Sequence, residues 1–155
     1  MNDAGVLVVG YGNPLRGDDG IGWHAASLLA SDPRLAGARV LARHQLVPEL
    51  AVDVSRASLV VLIDAAANGE PGSISVRRVQ PGQPVLAALS HHLDPPALAG
   101  LAEALYGAVP PIVLVSVAAG SLAEGDRLSA ALEVALPAVA QVVAKVVTGR
   151  QRQLS

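Results

Sequence analysis

Residues 10–22 form a glycine-rich segment that is compatible with few folds. It follows a short apolar run, residues 6–9, and precedes a stretch with helical periodicity. Five glycines in thirteen residues allow the backbone to turn tightly and to approach a ligand closely. A strand, a glycine-rich loop and a helix in this order predict a layered α/β domain with a binding site at the carboxyl end of the strand.

The rest of the chain keeps alternating between β-branched apolar runs and helical patterns. The predicted strands are 5–9, 38–42, 58–63, 72–78 and 111–117, and the predicted helices are 20–30, 48–54, 95–106 and 129–147. The third strand is apolar throughout, which favours a central position, whereas the fourth alternates and favours a position near an edge. Pro137 predicts a kink or a break in the last helix.

This alternation predicts the architecture of the whole chain. We expect a three-layer α/β/α sandwich with a five-stranded, mostly parallel twisted sheet. The 155 residues suffice for one domain with a full core, which we place at 1–148, followed by a polar tail at 149–155. Functional sites in such sheets form at the carboxyl ends of the strands.

Composition excludes several classes of function. Aromatic residues make up 2% of the chain and the net charge is −2 without a basic run, so nucleic acid is not an expected partner. The absence of cysteine excludes disulfides and thiolate ligands from this chain. No continuous apolar run reaches the roughly 18 residues of a membrane span, and the region around Asp3 lacks the basic start of a signal peptide. We therefore expect a cytoplasmic protein that does not enter a membrane.

Two adjacent acids, Asp18 and Asp19, end the glycine-rich loop. Loops of this kind usually bind phosphate, but negative charge repels phosphate and attracts a metal ion or a cationic group. One interpretation is that both acids cap and charge the following helix. Asp19 is the stronger candidate for a site because it stands beside glycines that permit close approach, and Asp18 is the stronger candidate for a cap.

Further polar residues follow the third and fourth predicted strands. Asp64 ends the third strand, where it is either a turn or N-cap residue or a site residue at the carboxyl edge of the sheet. His91 and His92 follow the fourth strand, and since neighbouring side chains diverge, we expect one of them to face the site. Two carboxylates and one imidazole suit a divalent ion such as zinc, nickel or iron.

Two other kinds of site are disfavoured by the same residues. A dinucleotide fingerprint would need its third glycine two positions before Gly17, and Arg43 and His44 stand where an acid would follow the second strand. A serine hydrolase of the α/β type would need a Gly-x-Ser-x-Gly turn, which the sequence lacks.

The motifs together resemble the nickel-iron hydrogenase maturation endopeptidases over nearly the whole chain. The matching residues are Gly10-x-Gly12-Asn13-x-Leu15-x-x-Asp18-Asp19-Gly20-x-Gly22, then Asp64 after an apolar strand, then Ser90-x-His92, and Gly125-Asp126-x-Leu128-Ser129 before the last helix. The resemblance implies a phosphorylase/hydrolase-like fold. It also implies an enzyme that cleaves a C-terminal extension from the precursor of a hydrogenase large subunit after nickel has been inserted.

The resemblance also implies the site residues. Asp19, Asp64 and His92 are expected to recognise the nickel and to take part in catalysis, with the nickel supplied by the substrate and no organic cofactor. The residues expected to bind the substrate are Gly12, Asn13, Arg16, His44 and Gln45. Tyr11 and Trp23 are further candidates for the groove, although we slightly favour helix surface as the explanation for Trp23.

Two departures from the family pattern bear on the substrate. Asp19 stands where the family often has Glu, which keeps the carboxylate and shortens its reach by one methylene. The segment 43–46 reads Arg-His-Gln-Leu where many members carry an Asp-Gly-Gly-like segment, so we expect a different subclass of hydrogenase as substrate.

Other functions stay open at this stage. One is a nickel-dependent adaptor or chaperone for the hydrogenase precursor that does not hydrolyse it. Another is a metal or aspartyl hydrolase that acts on a different peptide. Within the protease interpretation, either Asp19 or Asp64 is able to serve as general base rather than as a nickel ligand.

Overall fold

The computed structural model describes residues 5–83, 93–123 and 125–154. The strands are Val6–Tyr11 (β1), Arg39–Arg43 (β2), Leu59–Ala66 (β3), Ile74–Arg78 (β4) and Ile112–Ala118 (β5). The α-helices are Ile21–Leu29 (α1), Leu50–Arg56 (α2), Pro95–Tyr106 (α3) and Ala130–Leu154 (α4). Most of these elements lie within two residues of their predicted bounds.

The strands form one five-stranded sheet in the order β2-β1-β3-β5-β4. Neighbouring strands are parallel except for β4, which runs antiparallel to β5 at one edge. The first five residues of β3 are buried, as its continuous apolar sequence predicts, and β4 is mostly exposed. The predicted five-stranded, mostly parallel sheet and the edge position of its fourth strand are thus confirmed.

Helices cover both faces of the sheet. On one face, α1 and α4 pack over a cluster that includes Val8, Val61 and Val115. On the other face, α2 and α3 pack over a cluster that includes Val9, Leu62 and Leu114. Successive strand residues alternate between the two clusters because side chains point to opposite faces of a strand. The three-layer α/β/α arrangement is therefore confirmed.

The last helix is longer than its sequence pattern predicts. It passes through Pro137 without a break and continues to Leu154, whereas we expected it to end at residue 147. A guanidinium N–H of Arg150 donates to the carbonyl oxygen of Ser58, at the start of β3, with an N···O distance of 3.2 Å. This contact ties the end of the helix to the sheet, and it joins residues too distant in sequence for a local pattern to reveal.

Residues Ala130–Arg150 of α4 are long enough and apolar enough to cross a membrane by length and composition, with a mean hydropathy of 1.7. The search for a continuous apolar run did not mark this segment, because scattered polar residues interrupt the run without lowering its average much. Leu132, Val139 and Val143 of this helix are fully buried against the sheet. Such packing is that of a core helix.

Helix α1 packs directly on the backbone of the sheet because two glycines face each other. A methyl group added to Gly10 would overlap the carbonyl oxygen of Gly22, and one added to Gly22 would overlap the carbonyl oxygen of Ile63. This close approach brings the start of α1, and with it the acidic loop, against the ends of β1 and β3.

We expect Gly22→Ala to lower the free energy of unfolding by about 3 kcal/mol, because backbone atoms must separate to admit the methyl group. Gly149→Ala is the matched control, since Gly149 lies in α4 with no atom within 4 Å of an added Cβ. Removing a helical glycine there should raise stability by about 1 kcal/mol. Urea denaturation measures both changes, and equal midpoints for the two variants would contradict the close approach.

Candidate functional site

The acidic residues predicted for the site occupy two neighbouring places at the carboxyl edge of the sheet. Asp18 and Asp19 lie in a short 3-10 helix, Gly17–Gly20, that follows the loop after β1. Asp64 lies in β3, the strand paired with β1. Sequence places the acids far apart, and parallel pairing of the two strands brings them together.

Asp18 is fully buried and accepts four hydrogen bonds. Its Oδ2 accepts from the N–H groups of Gly120 at 2.7 Å and Ser121 at 2.9 Å and from the Ser129 hydroxyl at 2.7 Å. Its Oδ1 accepts from the Ser129 N–H at 2.7 Å. Burial raises the pKa of Asp18, but these hydrogen bonds outweigh it and hold the pKa below its ordinary value of 3.8.

The prediction that Asp18 or Asp19 caps the following helix is wrong. Helix α1 has Gly20 at its N-cap position and no side-chain cap bond. Asp18 instead joins the acidic loop to the loop after β5 and to the residue before α4. The sequence could not show this role, because the donors lie more than 100 residues away from the acid.

Asp19 is partly exposed, and its side chain makes one hydrogen bond to the part of the chain that the structure describes. Its Oδ2 accepts from the N–H of Asn13 at 2.8 Å, while the side chain of Asn13 accepts from the N–H of Leu15 at 2.9 Å. Gly12 has a φ of +142°, and a Cβ there would overlap the carbonyl oxygen of Asp19. Only glycine fits this turn, in which the backbone of Gly12 lies against that of Asp19.

Asp64 is held by hydroxyl groups from the strands on either side. Its Oδ2 accepts from the Tyr11 hydroxyl of β1 at 2.9 Å, and its Oδ1 accepts from the Ser116 hydroxyl of β5 at 2.6 Å. Two more residues of β3 follow Asp64, so the interpretation of this acid as a turn or N-cap residue is wrong.

The surroundings of Asp64 favour its protonated form more than water does. Burial raises the pKa of Asp64 above its ordinary value, and the negative charge of Asp19 adds to this. The hydrogen bonds from Ser116 and Tyr11 and the positive charge of Arg77 act in the opposite direction without cancelling the increase. The influence of Asp19 on this pKa indicates that the two carboxylates share one electrostatic environment.

Tyr11 remains a hydrogen-bond donor over the whole physiological pH range. Burial, the charge of Asp64 and the hydrogen bond to Asp64 all raise the pKa of the Tyr11 hydroxyl far above its ordinary value of 10.0. The phenol therefore stays protonated and donates to the carboxylate. Its ring packs against the apolar cluster under α2 and α3.

A cleft of about 620 Å³ opens beside Asp19 and Tyr11. It is lined by Tyr11, Gly12, Asn13, Arg16, Asp19, His44, Gln45, Leu46 and Leu93. The lining includes all five residues predicted to bind substrate, whose role stays a prediction, and it does not include Trp23. Trp23 instead meets the ring of His24 edge-on, with 5.3 Å between the ring centroids. The cleft is of a size that ligands commonly occupy.

The histidines predicted for the site, His91 and His92, lie outside the described residues. Leu93, the described residue that follows His92 in the sequence, lines the cleft, and its N–H donates to the carbonyl oxygen of Leu46 at 3.1 Å. Within the described parts of the chain, no group of three His, Cys, Asp or Glu side chains is placed to hold a metal ion. The role of His92 therefore stays a prediction.

Two residues beside Asp64 were missed by the sequence analysis. Ser116 is a polar residue within the apolar strand β5, and its partner became evident only from the register, in which it pairs with Asp64. Arg77 lies on the edge strand β4, and its charge acts on both Asp64 and Tyr11. The isolated serine in an apolar run was the available signal for Ser116.

Comparison with solved structures reveals the same fold in hydrogenase maturation proteases. The NiFe hydrogenase maturation protease HycI from Thermococcus kodakarensis is 23% identical, with a TM-score of 0.72 over 94% of this chain and 93% of that chain. The hydrogenase 2 maturation peptidase of a Thaumarchaeota archaeon is 24% identical, with a TM-score of 0.70 over 92% and 97% of the two chains. The hydrogenase maturating endopeptidase HybD from E. coli is 23% identical, with a TM-score of 0.69 over 94% and 93%.

These likenesses confirm the predicted resemblance at the level of the fold. At identities below 25% they do not extend to the activity or to individual residues. No protein-family model matches the sequence, and no curated protein matches it significantly.

Proposed function

We propose that this chain is an endopeptidase that removes a C-terminal extension from the nickel-loaded precursor of a nickel-iron hydrogenase large subunit. The observation that carries the proposal is a pair of carboxylates: Asp19 lines a large cleft, and Asp64 is joined to the cleft wall through Tyr11. The described residues leave acceptor positions free on both acids. The fold shared with hydrogenase maturation proteases supplies the reaction class.

The number of donors around each acid supports this assignment. An ionised carboxylate has about four acceptor positions. Asp18 receives four hydrogen bonds and is fully buried, so it is closed to a ligand. In the described parts of the chain, Asp64 receives two hydrogen bonds and Asp19 one. Asp19 and Asp64 are therefore the acids able to bind a cation, and His92 is the third ligand in the proposal.

Recognition of the substrate's own nickel explains how a protease would spare an immature precursor. Carboxylate oxygens and an imidazole nitrogen are suitable ligands for a divalent ion. The substrate supplies the nickel and any thiolate ligands, since this chain has no cysteine. Only a precursor that carries the metal would then place its C-terminal extension correctly in the cleft.

The carboxylates also provide the proton transfers that peptide hydrolysis requires. Asp19 or Asp64 takes a proton from the attacking water as the new bond from water oxygen to carbonyl carbon forms. The proton then passes to the amide nitrogen, which leaves as an amine when the carbon–nitrogen bond breaks. The raised pKa of Asp64 suits this role, because it makes the carboxylate a stronger base than in water.

The cleft wall offers a basis for choosing among precursors. Arg16, His44 and Gln45 are exposed there, and the N–H of Gly12 donates to the carbonyl oxygen of Arg43 at 3.1 Å. This bond ties the loop after β1 to the segment after β2, so both segments form one surface. We assign this surface to contacts with the precursor. The precursor belongs to a different hydrogenase subclass from the substrates of members with an Asp-Gly-Gly-like segment, and we place the reaction in the cytoplasm.

The proposal is tested with a purified precursor prepared with and without nickel. We expect mass spectrometry to detect loss of the C-terminal peptide from the nickel-loaded precursor and none from the nickel-free form. Binding without any loss of mass would identify an adaptor instead of a protease. Equal cleavage of both forms would contradict nickel recognition and point to a different hydrolase.

A further inference from the structure

The carboxylate of Asp64 is clamped from both neighbouring strands. In the sheet order β1-β3-β5, Tyr11 stands on one side of Asp64 and Ser116 on the other. The Tyr11 hydroxyl binds Oδ2 at 2.9 Å and the Ser116 hydroxyl binds Oδ1 at 2.6 Å. With one donor on each oxygen, rotation of the carboxylate about its Cβ–Cγ bond would break both bonds.

The two donors are themselves held in place. Ser116 is 9% exposed and is paired in register with Asp64 on one side and with Ser75 on the other. Tyr11 lines the cleft, its ring packs on the apolar cluster under α2 and α3, and its hydroxyl reaches Asp64. Tyr11 thereby connects the cleft wall to an acid that does not itself line the cleft.

The clamp leaves Asp64 able to bind a ligand. The described residues use two of its roughly four acceptor positions, one on each oxygen, so they leave a free position on each. Hydrogen bonds to a carboxylate that binds a metal typically orient it, and losing them lowers affinity or activity by about 10- to 100-fold. Two donors on opposite strands meet this requirement without filling the carboxylate.

We propose that Tyr11 and Ser116 are positioning residues, which hold the plane of the Asp64 carboxylate so that its free acceptor positions face the nickel-loaded precursor. The inference rests on the proposed function, because it takes the precursor as the ligand of Asp64. It adds two residues that act through Asp64 rather than on the substrate.

The test uses Tyr11→Phe, which removes one oxygen atom, and measures kcat/KM for processing of the nickel-loaded precursor by the loss of mass. We expect a fall of about tenfold or more. Tyr106→Phe is the matched control, since Tyr106 is exposed at the end of α3 and should leave kcat/KM unchanged. The thermal midpoint Tm of each variant shows whether the protein remains folded at the assay temperature.

Ser116 gives a second route with a conservative rescue. Ser116→Ala should lower kcat/KM by a similar factor, and Ser116→Thr, which keeps the hydroxyl in a strand, should restore most of it. If Ser116 had only a structural role, kcat/KM of the two variants would follow their Tm values. Ser116→Thr would then be no more active than Ser116→Ala when both are equally folded. This pair keeps the inference testable if Tyr11→Phe fails to fold.

The outcomes separate this inference from the proposed function. Wild-type processing that depends on nickel, combined with unchanged kcat/KM in both Tyr11→Phe and Ser116→Ala, would overturn the positioning role alone. Absence of processing of the nickel-loaded precursor by the wild-type protein would overturn the proposed function, and the positioning role with it. A fall in both variants with rescue by Thr supports the inference.

Discussion

Replacing Asp19 with Asn is expected to lower processing of the nickel-loaded precursor by about 100-fold or more, because a neutral amide is a much weaker ligand and base than a carboxylate. The fold should persist, since the amide oxygen of Asn is still able to accept the hydrogen bond from the N–H of Asn13. Measuring kcat/KM by loss of mass, together with Tm, separates the two effects. The change is therefore a direct measure of what the carboxylate contributes.

Two further variants sharpen this prediction. Asp19→Glu keeps the negative charge and should retain a substantial part of the activity. If only the size of the Asp side chain mattered, the longer Glu would be inactive. Asp53→Asn is the matched control, because Asp53 forms an exposed ion pair with Arg39 at 2.7 Å beside the start of β1, at the opposite edge of the sheet. Such a pair contributes at most about 1 kcal/mol to stability and should leave processing unchanged. Full activity of Asp19→Asn would remove this residue from the proposed site.

Asp18→Asn is expected to lower the stability of the fold strongly. Whichever way the new amide is turned, its NH₂ group meets at least one N–H or hydroxyl donor that Asp18 now binds. Losing the charge and leaving a buried donor unpaired should lower the free energy of unfolding by about 3 kcal/mol. For a chain of this size that corresponds to a fall in Tm of roughly 10 °C.

The effect of Asp18→Asn should depend on pH with a definite sign. The folded protein holds the pKa of Asp18 below its ordinary value, so the carboxylate stabilises the fold at pH values above that ordinary value. This contribution is lost as the pH falls through the lowered, folded-state pKa. The gap in stability between wild type and variant should therefore be constant above about pH 5 and should shrink below about pH 4.

Asp126→Asn is the control for Asp18→Asn, because Asp126 is an exposed acid in the same loop after β5. We expect its Tm to stay within about 2 °C of the wild type, as is usual for surface substitutions. Thermal unfolding followed by circular dichroism over a series of pH values measures both variants. A gap for Asp18→Asn that widened with falling pH would contradict the assignment of Asp18 as a buried, ionised acceptor.

The elements of the fold were predictable because their signals are local. Strand patterns of period two and helical patterns of period 3.6 depend on residues that are close in the sequence. The five-stranded sheet and the edge position of β4 were therefore predictable from the sequence. The end of α4 was not, since the helix continues to Leu154 beyond its apolar pattern, and Arg150 in this last part contacts Ser58.

The sequence was sufficient to predict which acids lie near the candidate site, but not the different role of each. The sequence indicated that Asp18, Asp19 and Asp64 belong to the carboxyl edge, and it favoured Asp19 over Asp18 because of the adjacent glycines. It predicted that Asp18 caps α1, whereas the four hydrogen bonds that this acid accepts come from the loop after β5 and from the residue before α4.

The sequence by itself determined a glycine-rich loop with two acids after the first strand of a layered α/β sheet. The tertiary structure alone decided that Asp18 is buried under four hydrogen bonds and that the described residues leave acceptor positions on Asp19 and Asp64. Strand register set Ser116 beside Asp64, and chain folding brought Tyr11 to the same carboxylate. The physical reason is that the availability of a carboxylate depends on the donors around it, and the donors to Asp18 and Asp64 come from residues 52 to 111 positions away.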